Sequence, residues 1–296
     1  MSSATWYVRN PAVVTVASRD SYLFFLAQRP PVRLSSVDTN ALSAVLSKTA
    51  TPVSGESLLV MCAEELLALL VKEEILLSGT ADEVTSRATP KFPVATKKLC
   101  RRVVVGVCGT IVSIGAIEHV VAIADTLADE VDVVITRSAR KFVQPCVYEY
   151  FGFRTWTNAF VPKHGVQVPH IHLATTADLV LIAPASANVL RRLATGACSD
   201  LLSLVVSATE APVVVAPAMN ARMWKNPAIA RNVAQLRADG IWVVEPRVGF
   251  EVSKRLQSGD VGGLGFRGGE VIRVLASILE QATVARGSNA VHDDAT

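Results

Sequence analysis

From residue 102 onward, short and fully apolar runs alternate with segments that repeat apolar residues at helical spacing. Apolar runs of this kind indicate strands buried on both faces, and their alternation with helices indicates a parallel sheet. The pattern predicts a doubly wound, flavodoxin-like α/β domain over residues 102–284. Strands are predicted at 102–108, 131–136, 179–183, 212–216 and 241–244. Helices are predicted at 111–127, after 138, after 186, in the early 200s, at 227–239 and at 270–281.

The first 85 residues follow a different pattern. They contain strand-like pieces at 5–8, 13–16 and 22–27, and later a helix face formed by Leu66, Leu67, Leu70 and Val71, which a short apolar run follows. This order predicts a small N-terminal α+β domain, winged-helix-like, over residues 1–85. Residues 86–101 read as a basic linker, because Lys, Arg and two prolines occur there without acids. Residues 285–296 are small and polar and are expected to form a flexible tail.

Composition narrows the function classes. Half of the 296 residues are hydrophobic and 19% are charged, which predicts a sizeable core. The net charge of +3 gives no indication of nucleic-acid binding. No apolar run reaches the roughly 18 residues of a membrane span, and no secretory signal is seen, so a cytoplasmic location is expected. The five cysteines lack C-x-x-C spacing, which argues against a disulfide framework and against a metal site.

Two predicted strands end in similar polar segments. One continues as Pro184-Ala185-Ser186-Ala187-Asn188 and the other as Pro217-Ala218-Met219-Asn220, and His170 precedes the first of these strands. In an open parallel sheet, ligands bind beyond the carboxyl ends of the strands. The two segments are therefore expected to form parts of one site.

A third strand end has the features of a phosphate-binding turn. The sequence Gly106-Val107-Cys108-Gly109-Thr110 joins the first strand to its helix, where glycine lets backbone N–H groups approach an anion. The dinucleotide fingerprint and the Walker lysine pattern are both absent, so a mononucleotide phosphate is favoured over NAD or ATP. Thr136 and Ser138 are candidates for the same phosphate. A plain strand-to-helix turn, with Thr136 and Ser138 as turn and cap residues, is the alternative.

With these motifs in this order, residues 102–284 resemble the homo-oligomeric flavin-containing cysteine decarboxylase superfamily. Its members include phosphopantothenoylcysteine decarboxylase and the peptidyl-cysteine decarboxylases that modify ribosomal peptides. The resemblance rests on Gly109-Thr110, His170-Ile171-His172-Leu173, Ser186-Ala187-Asn188, and Pro217-Ala218-Met219-Asn220 with Met223-Trp224.

The resemblance implies FMN as cofactor, with His170 and Asn220 as catalytic residues. The implied cofactor-binding residues are Gly109, Thr110, Ile111, Thr136, Ser138, Phe142, Ser186, Ala187, Asn188 and Ala218. The implied substrate-binding residues are Met219, Asn220, Ser258, Gly259 and Asp260. It also implies a homo-oligomer, a trimer or a multiple of trimers, and a clamp over the substrate formed by the glycine-rich segment 259–269.

The chain departs from the family pattern at four places. His172 stands where relatives often have an acid, Val189 replaces a threonine, and Cys198-Ser199-Asp200 replaces Cys-Asp-Asn. Ser258 stands where phosphopantothenoylcysteine decarboxylases carry a cysteine that helps to return reducing equivalents. A serine hydroxyl cannot perform thiol redox chemistry. The departure at Ser258 favours an oxidative reaction that stops at the enethiol.

The resemblance therefore favours FMN-dependent oxidative decarboxylation of a C-terminal cysteine in a precursor peptide. Residues 1–85 are expected either to capture the leader of that peptide or to be a structural or oligomer-stabilising appendage. In the implied reaction, oxidation to a thioaldehyde precedes the loss of CO₂. Two alternatives stay open. One is phosphopantothenoylcysteine decarboxylation in coenzyme A synthesis, and the other is a non-catalytic flavin-binding regulatory subunit.

Overall fold

The structure is a computed structural model that describes residues 6–10, 13–17, 21–25, 31–35, 39–49, 53–60, 62–79, 98–250, 258–266 and 270–293. Its strands are β1 (Trp6–Arg9), β2 (Val14–Ala17), β3 (Ser21–Phe25), β4 (Val32–Ser35), β5 (Val53–Ser54), β6 (Leu76–Gly79), β7 (Cys100–Val107), β8 (Ala128–Ile135), β9 (Arg154–Trp156), β10 (Leu179–Ala185), β11 (Val213–Pro217), β12 (Trp242–Val244), β13 (Arg247–Phe250) and β14 (Ser258–Gly263).

The helices alternate with the strands, as the apolar pattern predicts. They are α1 (Thr39–Lys48), α2 (Gly55–Leu59), α3 (Glu64–Lys72), α4 (Ala116–Thr126), α5 (Pro145–Glu149), α6 (Pro169–Thr176), α7 (Ala187–Ala194), α8 (Leu201–Ala208), α9 (Ala221–Trp224), α10 (Pro227–Ala238) and α11 (Glu270–Asp293). Short 3₁₀ helices span Ile111–Gly115 and Ala139–Lys141. Gly240 follows α10 with φ +83°, as expected for a left-handed helix end.

The centre of the fold is a nine-stranded sheet in the order β4-β3-β2-β12-β11-β10-β7-β8-β9. The strands from β12 to β9 in this order are parallel to one another, and the run β8-β7-β10-β11-β12 is the flavodoxin-like strand order. The predicted α/β, flavodoxin-like fold is confirmed. The sheet as a whole is mixed, because β2, β3 and β4 join it in antiparallel pairing.

Alternate residues of the central strand β7 pack on opposite layers of helices. Val103, Val105 and Val107 belong to the cluster that contains α4 and α11, whereas Val104 and Cys108 belong to the cluster with α6, α7, α8 and α10. A Cβ atom at Gly106 would lie 2.6 Å from Leu202 Cδ1. Helix α8 therefore packs directly on the backbone of β7, which holds the carboxyl end of that strand between two rigid layers.

The N-terminal segment shares the large sheet, which differs from the separate domain that the sequence suggests for residues 1–85. Val16 and Ala17 of β2 pair with β12, and Glu245 N–H donates to Thr15 O at 2.7 Å. Among the described strands of this segment, β1, β5 and β6 form a second sheet, in the order β5-β1-β6, which packs with α1, α2 and α3. The sequence missed this because an apolar strand does not show which sheet it completes.

Other boundaries also differ from the sequence-based expectation. Strand β9 and helix α6 were not predicted, and the helix expected after 138 consists of a 3₁₀ helix, Ala139–Lys141, followed by α5. Strand β14 of the hairpin β13–β14 includes the first part of the glycine-rich segment 259–269. Helix α11 continues to Asp293, into the segment 285–296 that was expected to be a flexible tail. Most of the expected linker, residues 86–97, lies outside the described residues. Within the described part of the chain, no helix is both long and apolar enough to cross a bilayer.

Candidate active site

The turns that follow β7 and β8 touch each other. A Cβ atom at Gly109 would lie 2.4 Å from Ser138 Cβ and 2.8 Å from the Ser138 carbonyl carbon. Thr136 N–H donates to Val107 O at 3.1 Å, which joins the two strand ends just before these turns. The structure thus brings together the segments that the sequence proposed as two sides of one phosphate site.

Thr110 carries the most direct sign of a ligand. Its Oγ1 is buried and has no hydrogen-bond partner among the described residues, although Thr110 sits at the start of the 3₁₀ helix Ile111–Gly115. A buried hydroxyl without a partner is rare, because leaving it unsatisfied costs free energy. An anionic oxygen bound at this turn would satisfy it. The residues present therefore fit the phosphate of a mononucleotide.

The ends of β10 and β11 continue the same edge of the sheet. Cys108 N–H donates to Pro184 O at 3.2 Å, and Ala218 N–H donates to Ala185 O at 3.0 Å. Four neighbouring strands, β8, β7, β10 and β11, therefore present Ser138, Thr110, Ser186 and Ala218 along one edge. Three of these residues, Thr110, Ser138 and Ser186, occupy N-cap positions, but none of their side chains makes a cap hydrogen bond.

Asn220 marks the far end of this row. Its Oδ1 accepts the backbone N–H of Arg222 at 2.8 Å and caps α9. Helix α9 packs against β14, whose first residues are Ser258, Gly259 and Asp260. The predicted substrate segments are thus neighbours in the fold, but the side chains of 258–260 lie outside the described part of the structure.

His170 is the second residue of α6. Its ring is half-buried, and Nδ1 is buried without a hydrogen-bond partner in the described part of the chain. Thr176, at the other end of α6, contacts Arg102 near the start of β7. The chain passes through α6 on its way from the end of β9 back to the start of β10, a parallel strand of the same sheet, so His170 lies closer than Thr176 to the carboxyl edge of the sheet. No hydrogen bond of its side chain among the described residues joins it to the strand-end turns.

The departures from the family pattern have structural partners. Asp200 caps α8 in a capping box with Ser203 and forms an ion pair with Arg192, which is a role in fixing the helix start. His172 contacts Arg102. Burial raises the pKa of the Cys108 thiol to about 12, so this cysteine beside the site stays protonated at neutral pH.

Exposed apolar side chains surround the carboxyl edge of the sheet. Sequence patterns missed most of them, because exposure of a loop residue depends on tertiary packing. Of the predicted cofactor residues, Ile111 is 45% and Phe142 is 42% exposed. A large apolar surface at a ligand edge fits a planar aromatic ligand or a second protein chain. The exposed apolar residues on these segments are Ile111, Val112, Ile114, Phe142, Phe160, Val161, Val168, Ile171 and Met223.

No group of three His, Cys, Asp or Glu side chains suited to a metal ion occurs among the described residues. The polar groups along the edge are hydroxyls, amides and one imidazole. Such a set can bind a phosphate, hydrogen-bond a carboxylate and move a proton at neutral pH.

Comparison with solved structures supports the same fold. The FMN-dependent cysteine decarboxylase SpaF is 35% identical with a TM-score of 0.52, over 62% of this chain and 97% of SpaF. A cysteine-to-serine mutant of PPC decarboxylase in complex with pantothenoylaminoethenethiol is 27% identical with a TM-score of 0.53, over 62% of this chain and 100% of that protein.

Comparison with curated sequences points to related proteins of greater length. The coenzyme A biosynthesis bifunctional protein CoaBC of Mycobacterium tuberculosis (strain H37Rv) is 38% identical over 184 residues, which are 62% of this chain and 42% of that protein. The chain thus spans less than half the length of this relative. A family model for flavoproteins matches residues 91–262, more than half of the chain. This chain belongs to the flavoprotein family.

Proposed function

We propose that the chain is an FMN-dependent enzyme that oxidatively decarboxylates a C-terminal cysteine of a precursor peptide. The unpartnered, buried hydroxyl of Thr110 at the β7 turn is the observation that carries cofactor binding. The family match and the likeness to the FMN-dependent cysteine decarboxylase SpaF support FMN and decarboxylase chemistry. Ser258 supports the oxidative outcome, because it offers no thiol with which to reduce an enethiol.

The cofactor would lie along the carboxyl edge of the sheet. Thr110 and Ser138 would hold its phosphate, and Ser186 and Asn188 would contact its sugar-like chain or ring. When bound, FMN supplies the two-electron oxidation of the thiol-bearing carbon of the substrate. Ile111 and Phe142 would cover an aromatic ring and exclude water from it.

Two side chains would act on the substrate. Asn220 would donate its amide N–H to the cysteine carboxylate, while its Oδ1 remains on the Arg222 N–H and holds the side chain in place. A neutral donor orients the carboxylate. An ion pair would instead stabilise the negative charge of the carboxylate and so oppose the loss of CO₂. His170 would accept a proton from the substrate, since a neutral imidazole is a competent base near pH 7.

The test is the mass of the product. A peptide ending in cysteine should lose about 46 Da, the mass of CO₂ and two hydrogens, when incubated with the yellow, flavin-containing protein. His170→Asn should abolish the product and leave the bound flavin in place. If the peptide keeps its mass after incubation with the folded, flavin-loaded protein, the proposal is contradicted.

The second candidate is phosphopantothenoylcysteine decarboxylation. The identity of 38% to CoaBC and the likeness to PPC decarboxylase favour it. A loss of about 44 Da from phosphopantothenoylcysteine, with no oxidation, would identify this reaction. Ser258 argues against it in the same way as it supports the first candidate. Bound flavin without turnover on either substrate would indicate a regulatory subunit.

We also propose that the N-terminal segment captures the leader of the precursor peptide. A groove of about 420 Å³ lies between α3 and the sheet β5-β1-β6, with Tyr7, Leu67, Ala68 and Val71 among its lining residues. Strand β6 pairs only with β1 among the described strands, so an extended peptide has an edge to which it can add.

This role is tested with a substitution, because deletion of residues 1–85 would remove three strands of the large sheet. Ala68→Arg fills the groove from an exposed position and should weaken the reaction on the full precursor but not on a short C-terminal peptide. Ser47→Arg, exposed on α1, is the matched control. If Ala68→Arg has equal effects on the reaction of both substrates, the proposed leader-binding role is contradicted.

Finally, we propose that the protein works as a homo-oligomer, as a trimer or a multiple of trimers. The exposed apolar residues around the carboxyl edge of the sheet support this arrangement. Their burial between copies of the chain would also shield the site from water.

A further inference from the structure

A buried polar network joins α6 to the first strands of the sheet. Asp132 of β8 is fully buried and accepts Trp156 Nε1–H at 2.8 Å and Arg154 Nη2–H at 2.8 Å. Arg102 of β7, also buried, forms an ion pair with Glu130 and lies 3.6 Å from Asp132 through Nε. The network thus spans β7, β8 and β9.

Arg102 extends this network to α6. Its Nη1 donates to Thr176 Oγ1 at 2.7 Å and lies 3.1 Å from His172 Nε2. The ring of His172 also lies against that of Trp156, with centroids 6.1 Å apart. Both residues of α6 in these contacts are on the helix that carries His170.

The chemistry of the contact fixes the state of His172. A guanidinium has donors only, so Nε2 of His172 must accept, and the ring proton must sit on Nδ1. This requires a neutral imidazole. Protonation would remove the acceptor and place a second cation beside Arg102.

We infer that His172 is a positioning residue, whose neutral ring ties α6 to Arg102 and thereby sets the place of His170 at the carboxyl edge of the sheet. The inference rests on the proposed role of His170. It also gives His172 a structural role in this chain, since its Nε2 can accept the Arg102 N–H.

Burial and four charged side chains on β7, β8 and β9 act on the pKa of His172. Burial lowers the pKa of His172 first of all, Arg102 on β7 and Arg154 on β9 lower it further, and Asp132 and Glu130 on β8 oppose them. Trp156, which contacts the rings of both His172 and His164, carries no charge. The net direction favours the neutral ring that the geometry requires.

The sign of the pH dependence follows. Because the folded pKa lies below the ordinary value of about 6.5, the unfolded chain binds more protons just below that pH. The stabilisation by this contact is therefore complete above about pH 6.5 and is lost as the pH falls through the lower folded value.

The test uses His172→Gln, which keeps an acceptor but does not titrate, and His172→Leu, which has no acceptor. The full-length, flavin-containing protein should melt at a lower temperature at pH 5.5 than at pH 7, and this drop should be smaller in His172→Gln. His172→Leu should lower kcat about tenfold or more with KM and flavin content unchanged, and His172→Gln should restore most of it. His164→Asn is the control, because His164 contacts the same Trp156 from outside α6.

Nitrogen NMR of the imidazoles separates this inference from the proposed function. His172 should show an unprotonated Nε2, and the His170 ring signals should shift in His172→Leu but not in His164→Asn. This NMR measurement needs no turnover. An inactive enzyme would therefore refute the proposed reaction, while the contact between His172 and Arg102 could still be measured. A protonated Nε2 at pH 7, or unchanged His170 signals in His172→Leu, would overturn the inference.

Discussion

Gly109 has no room for a side chain, because Ser138 lies within van der Waals distance of its Cα hydrogens. An added methyl group would meet Ser138 Cβ at 2.4 Å. Gly109→Ala should push apart the two turns that form the proposed phosphate site, at a cost of about 1–3 kcal/mol in the free energy of unfolding. Flavin content per chain, measured by absorbance, should fall sharply.

Gly115→Ala is the matched control, since a Cβ atom there meets nothing within 4 Å. It should leave the melting temperature and the flavin content near their wild-type values. Flavin content in Gly109→Ala equal to that of Gly115→Ala would place the cofactor elsewhere.

Thr110 offers a second and gentler test of the same turn. Thr110→Val keeps the shape of the side chain and removes a hydroxyl that has no partner among the described residues. The stability of the flavin-free protein should therefore stay the same or rise slightly. The flavin dissociation constant should rise about tenfold or more, because a hydrogen bond to a charged group contributes about 1.5–3 kcal/mol.

Fluorescence titration of the flavin-free protein measures this change. Thr126→Val removes a hydroxyl that instead donates to Ala122 O within α4, and it should leave flavin affinity unchanged. An unchanged affinity in Thr110→Val would show that its hydroxyl does not contact the cofactor.

Strand β2 links the N-terminal segment to the flavin-binding half of the sheet. Val16 is completely buried and pairs with Val244 of β12 and Leu23 of β3. Val16→Ala should cost about 2 kcal/mol, as expected when buried methyl groups are deleted from a packed core. Because the sheet is shared, the melting of the chain and the release of flavin should shift together.

Scanning calorimetry and flavin fluorescence, recorded on the same sample, check this coupling. Val60→Ala, at a site that is 88% exposed, should change neither transition. A lower unfolding temperature with unchanged flavin release would show that the segment unfolds independently of the site.

The distribution of exposed apolar residues argues for assembly of several chains. Phe160, on the loop after β9, is 83% exposed, and Ile114, after β7, is 58% exposed. The double substitution Phe160→Ser with Ile114→Ser should reduce the proposed trimer or multiple of trimers to smaller species, because burial of these side chains would stabilise the assembly.

Sedimentation velocity measures this change. Val60→Ser removes an apolar group on the N-terminal segment that is even more exposed, at 88%, and should keep the assembly intact. A wild-type protein that sediments as a monomer at micromolar concentration would contradict the oligomer proposal.

The sequence by itself determined the order of the central strands and helices along the chain. Apolar runs such as 102–108 and 179–183 are typical of strands buried inside a covered parallel sheet. It also located the polar segments at the strand ends, since these positions follow directly from where the runs stop. Strand β9 was missed because it has only three residues, and helix α6 was missed because its eight residues are weakly amphipathic. Both carry little periodic signal.

The tertiary structure alone decided which of these segments touch. The contact between Gly109 and Ser138, the contact between Arg102 and His172, and the pairing of β2 with β12 each join residues that are at least 29 positions apart. Such contacts depend on which strands become neighbours and on which side of the sheet each helix packs. Local sequence patterns specify neither, because burial and periodicity describe an element and not its partner.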